Sequence, residues 1–408
     1  MKRLLSVCLS LCIMVSVFVS FDITASAKTT IKKTTVSVSN AASGVNVSWK
    51  KVSGAKSYKV YRKAPGAKKY SAVKTTNNKT VKYLDKKVSA GKTYSYQVVA
   101  VNGKTKSTSK AKSIVRLLAP KNVKAQAYVK NTDCSMDYSD LLGNSSYDDY
   151  DFNVRGIRLT WTKSKGANKY DIYAKEGNSK KYSKIDTVGN VSSYVDEEAY
   201  DVGNYYYKVV ARKNTSTSAS SAVKKIYYVP ETEVMALPLT GGTSVQWSTV
   251  SGCDGYKLYR SPNGKKGTYS LIDKFAKNKS SYLDKSANQL GKTYYYQIVV
   301  YKGSTNSIGM TVKSKYQAGA TINVGVGKTD DTIKKLVQQE IKESGGDLTM
   351  KDYQEYFKIT PQNTGIATIS SDFVVTGVKQ GTTKAKIQVQ IPMIGVTQEL
   401  GFILINVK

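Results

Sequence analysis

The sequence predicts an all-β protein: tandem β-sandwiches followed by a C-terminal β-domain that carries one helix. Three observations favour this fold class. A tryptophan–tyrosine spacing occurs three times along the chain, alternating apolar and polar residues follow each occurrence, and glycine-containing turns separate the alternating segments. A hydrophobic content of 40% is enough to build such cores, and it excludes wholesale disorder.

The first 27 residues are expected to be an export signal. Lys2 and Arg3 precede an apolar stretch over 4–21, and Ala25-Ser26-Ala27 supplies the small residues that a signal peptidase requires. A retained membrane anchor is the alternative, but the apolar stretch is short and interrupted by serines. We therefore expect a secreted, extracellular or cell-wall-associated protein that has no transmembrane span after signal cleavage.

Cysteine usage predicts no disulfide framework. Cys8 and Cys12 lie in the expected signal, whereas Cys134 and Cys253 fall in different units of the repeat. A bridge within one domain is therefore not expected, and each domain must rely on an ordinary hydrophobic core.

Each unit of the repeat begins with a tryptophan that is followed nine residues later by one tyrosine and three residues further on by another. A Tyr-x-Asp triplet, a glycine and a further tyrosine come next, and this last tyrosine opens an alternating strand. We expect these residues to form the structural cores, with the last tyrosine bonding its hydroxyl to nearby backbone. They are Trp49, Tyr58, Tyr61 and Tyr94; Trp161, Tyr170, Tyr173 and Tyr205; and Trp247, Tyr256, Tyr259 and Tyr294.

This pattern resembles the fibronectin type III domains of bacterial secreted proteins. The tryptophans match the family's core tryptophan, the next two tyrosines match its C-strand tyrosines, and the last matches its corner tyrosine. The resemblance covers about residues 28–316 and implies three sandwiches, over 28–117, 118–229 and 230–316. Hinges between the domains are expected near 118–120, 229–231 and 315–320. It implies no chemistry, because such modules typically serve as spacers, adhesion units or accessory domains.

Residues 317–408 lack tryptophan and break the repeat. A helix near 330–343 is predicted because Ile333, Leu336, Val337 and Ile341 form one helical stripe. Strands are expected from Gly345-Gly346 onward. The segments 365–369 and 374–387 resemble the close of a bacterial Ig-like group 2 domain, which is again a surface or spacer module.

Charge is concentrated in the first unit. The chain has 63 Lys and Arg residues against 29 acidic residues, a net charge of +34. Residues 28–117 contain 22 basic residues and one acid, Asp85, whereas residues 118–408 contain 39 basic and 27 acidic residues. Such a field would attract an extracellular polyanion such as wall teichoic acid, although a solvated basic surface is the alternative.

Lysine supplies nearly all of this charge, since only 7 of the 63 basic residues are Arg. Lysine lacks the planar fork with which arginine recognises bases, so we expect salt-sensitive adhesion and no sequence-specific nucleic acid. The candidate polyanion-binding residues are Lys50, Lys59 and Lys82, taken as one strand face.

The second unit contains an acidic insertion over 131–153 that has no Lys or Arg. Its carboxylates are candidate calcium ligands, but the EF-hand spacing is absent, and a solvated loop is the alternative. A glycosidase pair drawn from them is disfavoured, because no unit is left over to form a catalytic cleft. The six are Asp133, Asp137, Asp140, Asp148, Asp149 and Asp151.

The absence of histidine excludes Ser-His-Asp and Cys-His catalysis and every histidine-ligated metal site. We therefore expect no catalytic residues, no cofactor and no enzyme, but a protein for adhesion, polyanion binding or spacing. Strand alternation places Tyr206 and Tyr295 outward, where a tyrosine ring can stack on a sugar. A polysaccharide-binding accessory protein of a carbohydrate-degrading system is therefore the alternative.

Overall fold

A computed structural model describes residues 30–135, 154–343, 349–391 and 396–408. The predicted export signal and five of the six insertion aspartates, Asp137, Asp140, Asp148, Asp149 and Asp151, lie outside these residues. The chain forms two compact units. The first contains the chain up to Leu118 with the segments Lys165–Ala167 and Arg212–Ala219, and the second contains Ala119–Ser164, Asn168–Ala211 and Ser220–Lys408.

The first sandwich has two antiparallel sheets. Its strands are β1 (Val36–Asn40), β2 (Val45–Trp49), β3 (Ser57–Lys63), β4 (Ser71–Asn77), β5 (Lys82–Asp85), β6 (Thr93–Asn102), β7 (Thr105–Thr108) and β8 (Lys112–Val115). One sheet has the order β1-β2-β5, and the other has the order β4-β3-β6, with β7 and β8 both paired to β6.

The second and third sandwiches repeat this arrangement. The second has β9 (Lys121–Val129), β10 (Arg155–Thr162), β11 (Lys169–Glu176), β12 (Ser183–Val188), β13 (Ser193–Asp196), β14 (Gly203–Lys213), β15 (Ser216–Thr217) and β16 (Lys224–Tyr228). The third has β17 (Val234–Leu239), β18 (Gly242–Trp247), β19 (Gly255–Ser261), β20 (Ser270–Ala276), β21 (Ser281–Asp284), β22 (Thr293–Lys302), β23 (Thr305–Asn306) and β24 (Met310–Lys315). Each pairs a three-stranded sheet with a five-stranded one, which confirms the predicted all-β class of tandem fibronectin type III-like sandwiches.

The tryptophan of each unit fills the space between the two sheets, as predicted. Trp49, Trp161 and Trp247 are at most 5% exposed, and each packs against the first tyrosine that follows it at 5.3–5.6 Å between ring centroids. The hydroxyl of that tyrosine accepts a bond from the backbone that follows the tryptophan strand, for example Val52 N to Tyr58 Oη at 2.8 Å. The aromatic pair therefore fixes both the core and the adjacent turn.

The corner tyrosines also behave as predicted. Ser89 N donates to Tyr94 Oη at 2.9 Å, Asp201 N to Tyr205 Oη at 3.2 Å, and Gln289 N to Tyr294 Oη at 3.2 Å. Each bond satisfies a backbone group just upstream of the strand that the tyrosine opens.

The middle tyrosine of each unit was wrongly assigned to the core. Tyr61, Tyr173 and Tyr259 are only half-buried, and they lie on the outer face of their strands. Tyr58 and Tyr61 are three residues apart in β3, and residues an odd number apart in a strand point to opposite faces. The same holds for β11 and β19, so one tyrosine of each pair is inside and the other is outside.

In its described residues, the C-terminal domain contains two helices rather than the single one predicted. Its elements are β25 (Ala320–Val324), β26 (Thr329–Asp330), α1 (Thr332–Glu343), α2 (Met350–Tyr356), β27 (Phe357–Pro361), β28 (Ala367–Ile369), β29 (Val375–Gly377), β30 (Gly381–Ile391) and β31 (Val396–Val407). The sheets have the orders β25-β31-β30-β27 and β26-β29-β28. Helix α2 forms where strands were expected, because Thr349 and Asp352 make a capping box that starts it.

Packed junctions connect the consecutive domains of the second unit. Val229, Glu231 and Tyr316 lie in segments predicted to be hinges, yet all three are buried. Tyr316 donates its hydroxyl to Leu239 O at 2.8 Å and packs against Phe402 at 5.3 Å between ring centroids. The third sandwich and the C-terminal domain therefore share one apolar cluster. Neither of the two described helices is long and apolar enough to cross a membrane.

Candidate functional site

The one acidic residue of the first sandwich is buried and bound to a cation. Asp85 is fully buried and accepts bonds from Arg62 Nη1 at 2.9 and 3.1 Å and from Tyr96 Oη at 2.9 Å. Burial, followed by the charge of Asp85, raises the pKa of Tyr96 well above its usual range. Because residues 28–117 contain no other acid, no carboxylate is available on the surface of this sandwich.

The second arginine of the first sandwich is also structural. Arg116 is 3% exposed, and its guanidinium donates to Ala41 O at 2.7 Å, Ala42 O at 2.8 Å and Leu117 O at 3.0 Å. Burial lowers the pKa of Arg116. These bonds satisfy the carbonyl groups of a loop and of the strand end beside it. Because Arg116 is buried and Arg62 binds Asp85, the exposed positive charge of the sandwich comes from lysine.

The structure does not bring Lys50, Lys59 and Lys82 onto one face. Lys50 follows β2 and Lys82 lies in β5, so both belong to the three-stranded sheet, where they are exposed. Lys59 lies in β3 of the other sheet and is half-buried. The single strand face that we predicted is therefore wrong, since the sequence alone did not reveal that β2 and β3 belong to opposite sheets.

Lys50 instead takes part in a groove at one end of the first sandwich, which we call the lysine groove. Four exposed lysines line it: Lys32, Lys33, Lys50 and Lys51. Buried Ile31 and Val52 contribute apolar lining, and Thr34 Oγ1 donates to Lys50 O at 2.5 Å, which ties the two sides together. The groove has a volume of about 510 Å³ and no carboxylate in its lining. Four unneutralised ammonium groups around one concavity favour an anionic ligand.

The acidic insertion begins as a strand-like segment on the third sandwich. Cys134 N donates to Thr311 O at 2.7 Å, Thr311 N donates to Thr132 O at 2.6 Å, and Lys313 N donates to Ser135 Oγ at 2.8 Å. Asp133 accepts bonds from Ser135 within this segment. The start of the insertion is therefore fixed to the edge strand β24, which the sequence did not predict.

One of the six candidate calcium ligands, Asp133, lies among the described residues. Within residues 30–135, 154–343, 349–391 and 396–408, no group of three or more His, Cys, Asp or Glu residues could hold a metal ion. Asp133 is the one candidate ligand in these ranges, so calcium binding by the insertion stays a prediction. Cys134 and Cys253 are both free thiols.

Tyr206 and Tyr295 lie half-buried on the outer faces of β14 and β22, as strand alternation predicted. The sequence did not reveal the lysine groove, because its two sides lie in segments about 16 residues apart, before β1 and after β2. Two lysine doublets could have indicated the groove. Lys32-Lys33 precedes β1 and Lys50-Lys51 follows β2, and β1 pairs with β2.

Solved structures that contain tandem fibronectin type III domains are similar to this chain. No family model and no curated protein matches this chain. The FN1–FN3 domains of chicken CNTN1 are 16% identical over 69% of this chain and 98% of that one, with a TM-score of 0.19. A two-domain fibronectin type III segment of chicken tenascin is 18% identical over 39% of this chain and 91% of that one, with a TM-score of 0.24. The description of this chain as tandem fibronectin type III-like sandwiches therefore depends on its own strand order and core residues.

Proposed function

We propose that this chain is an exported, non-catalytic modular protein that adheres to an extracellular polyanion through its first sandwich. One observation carries the proposal. The only carboxylate in residues 28–117 is buried against Arg62, so every surface lysine of the sandwich lacks a neutralising partner within it. The lysine groove is where four of these charges surround one concavity.

The chemistry of lysine favours a flexible polymer with repeated negative charges. An ammonium group is a strongly hydrated point charge, and it makes no planar, two-bond contact with a base or a single carboxylate. Attraction then depends on the number of charges and is screened by salt, with a Debye length of ~8 Å at physiological ionic strength and ~3 Å at 1 M. A phosphodiester polymer such as wall teichoic acid matches these requirements.

The second unit suits a role as a spacer that presents the first sandwich. Val229, Glu231 and Tyr316 are buried in the segments between its domains. The Tyr228 hydroxyl donates to Glu231 Oε2 at 2.8 Å, and Lys384 donates to the Tyr316 hydroxyl at 2.8 Å. Bending at the junction of the third sandwich and the C-terminal domain would break the Lys384–Tyr316 bond and expose the apolar cluster that these two domains share, so the packing opposes it.

The proposal can be tested by retention of the full mature chain on purified cell walls. One variant replaces the groove lysines with glutamine (K32Q/K33Q/K50Q/K51Q), and a matched control replaces four exposed lysines of the third sandwich (K265Q/K266Q/K277Q/K285Q). Both lose the same total charge. We expect the groove variant to lose most of its retention, the control to stay near wild type, and salt or removal of teichoic acid to abolish the binding of the wild type.

Equal losses in the two variants would reject the groove and leave only a general charge effect. Retention that is indifferent to both salt and teichoic acid would reject polyanion binding altogether.

A further inference from the structure

The outer face of the second sandwich carries three lysines arranged around two tyrosines, which we call the lysine–tyrosine row. Lys175 Nζ lies 4.5 Å from the centroid of the Tyr206 ring and 5.6 Å from that of Tyr182. Lys208 Nζ lies 3.8 Å from the Tyr182 centroid, and Lys225 Nζ lies 5.7 Å from the Tyr206 centroid. A single exposed cation–π pair is common, but three cations sharing two rings form a continuous surface.

The row runs across the strands rather than along one of them. Lys175 lies in β11, Tyr206 and Lys208 lie in β14, and Lys225 lies in β16. Tyr206 and Lys225 are direct partners in the pairing of β14 with β16. Neighbouring strands are spaced by ~4.8 Å, so the row spans ~10 Å across three strands, which suits a short stretch of an extended polymer.

Within the part of the chain that the structure describes, the three ammonium groups have no carboxylate partner. The ion pairs found among the described residues involve other basic residues, and Lys175 makes its one further bond to a carbonyl, Ser179 O at 2.7 Å. A lysine that contacts a ring face has fewer accessible rotamers, so less side-chain entropy is lost when it binds a ligand. The rings therefore pre-position three charges that nothing in the described chain neutralises.

The same contacts argue against a neutral sugar. A neutral sugar stacks on an open ring face, whereas ammonium groups lie over both Tyr182 and Tyr206. An anionic sugar can bind the ammonium groups through its charge while its apolar ring surface contacts the exposed parts of the tyrosines. The combination of charge and aromatic surface separates this ligand both from a neutral glycan and from a polyanion without sugar rings.

From this geometry we infer that the lysine–tyrosine row is a second binding site, which takes an acidic polysaccharide whose sugar rings carry negative charges. The row binds the polymer across β11, β14 and β16, with the lysines on its charges and the tyrosines on its rings. This inference is independent of the lysine groove, which lies in a different sandwich and has no aromatic lining.

The test uses the full mature chain in which the four groove lysines are already replaced by glutamine, so that the proposed function cannot supply the binding. The probes are polygalacturonate (charged sugar rings), polyglycerol phosphate (charge without sugar rings) and dextran (sugar rings without charge). We expect binding to polygalacturonate and at least tenfold weaker binding to each of the other two.

Two tyrosine variants separate the arrangement of the row from the overall charge. The double variant Tyr182→Thr and Tyr206→Thr leaves every charge in place, yet we expect it to weaken polygalacturonate binding by about tenfold. We expect a loss of the same size from the triple variant Lys175→Gln, Lys208→Gln and Lys225→Gln. Tyr182→Phe with Tyr206→Phe keeps both rings and should bind like the parent. Threonine is a good strand residue, and unchanged thermal unfolding would show that the sandwich stays folded.

Wild-type affinity in the threonine variant would overturn the role of the rings and with it the inference. Equal binding of polyglycerol phosphate and polygalacturonate would overturn the assignment to a sugar polymer, and equal binding of dextran would overturn the requirement for charge.

Discussion

Removing the guanidinium of Arg260 should destabilise the third sandwich at neutral pH but hardly at all in acid. Arg260 Nη1 lies 2.6 Å from Asp284 Oδ2, and the Asp284 side chain is only 5% exposed. Arg260→Met keeps the aliphatic stem and leaves a buried carboxylate with Tyr296 and Ser286 as its remaining side-chain donors. Losing a bond to a charged group costs ~1.5–3 kcal/mol, and the partial exposure of Arg260 places the expected loss near the lower end, about 2 kcal/mol.

The pH dependence follows from the direction of the pKa shifts. Burial acts to raise the pKa of Asp284, but bonds from Ser286, Arg260 and Tyr296 outweigh it and lower that pKa. The wild-type third sandwich therefore has stability that is present above the unfolded pKa of ~3.9 and is lost as pH falls through the lower folded value. Without Arg260, that contribution at neutral pH is largely gone, so the difference between wild type and variant should shrink towards zero as the carboxyl protonates.

The second sandwich has the equivalent buried aspartate but lacks the arginine. Ala174 occupies the position equivalent to Arg260, one residue after the middle tyrosine, and Asp196 accepts from Tyr207 Oη at 2.7 Å. Burial raises the pKa of Asp196 despite that bond. The pH dependence that Asp196 gives to stability therefore has the opposite sign to that of Asp284. Its stabilising contribution is fully present below the unfolded pKa and is lost as pH rises through the raised folded value.

Local hydrogen exchange during urea unfolding measures each sandwich within the full chain. The reporters are the amides of β22 for the third sandwich and those of β14 for the second, because such core amides exchange only when the sandwich opens. Ala174→Arg is the reciprocal variant and should stabilise β14 at neutral pH. An Arg260→Met loss of equal size at pH 7 and at a pH below the lowered folded pKa of Asp284 would show that the arginine acts by packing, and the electrostatic reasoning would be refuted.

Two further predictions concern the core and the edge of the third sandwich. Trp247→Phe should cost ~1 kcal/mol more than Trp161→Phe, because Trp247 Nε1 donates to Lys279 O at 2.9 Å, whereas the buried Trp161 nitrogen has no partner among the described residues. Urea unfolding with local exchange measures the difference, and equal costs would contradict this prediction. Ser135→Ala should speed amide exchange at Lys313, because the Lys313 N–H donates to Ser135 Oγ. Ser179→Ala in the second sandwich serves as the control. Unchanged exchange at Lys313 would show that the insertion is not held on β24.

Contacts that recur in all three repeats could be predicted from the sequence, whereas contacts that are specific to one place in the chain could not. The spacing of tryptophan and tyrosine fixed which side chains meet, because all three units must bury the same pair between their sheets. The assignment of Tyr61 to the core failed because identical spacing shows that a position matters but not which face it occupies. The alternation of side chains along a strand placed Tyr206 correctly, and the same rule would have placed Tyr61 on the outer face.

The junctions of the second unit depend on contacts that no local pattern encodes. Tyr316 and Phe402 are far apart in sequence, yet they share one apolar cluster. Proline and polar residues at 229–231 suggested a linker, but the structure buries Glu231 beside Tyr228. Helix α2 is a different case, because its capping box is local and the Thr349-x-x-Asp352 spacing could have been recognised.

The scarcity of arginine has a structural explanation that strengthens the charge argument. Arginines of the described chain contact partners within it: Arg62 and Arg260 bind buried aspartates, Arg116 binds carbonyls, Arg155 pairs with Glu233, and Arg158 lies over the Tyr128 ring. Arginine suits these positions because its planar fork makes several bonds at once. The surface charge is thereby left to lysine, which binds with less geometric specificity than arginine and whose attraction to a ligand is screened by salt. A surface of this kind holds a polymer through many weak contacts, so single lysine replacements should matter little, whereas replacing a group that surrounds one concavity should matter most.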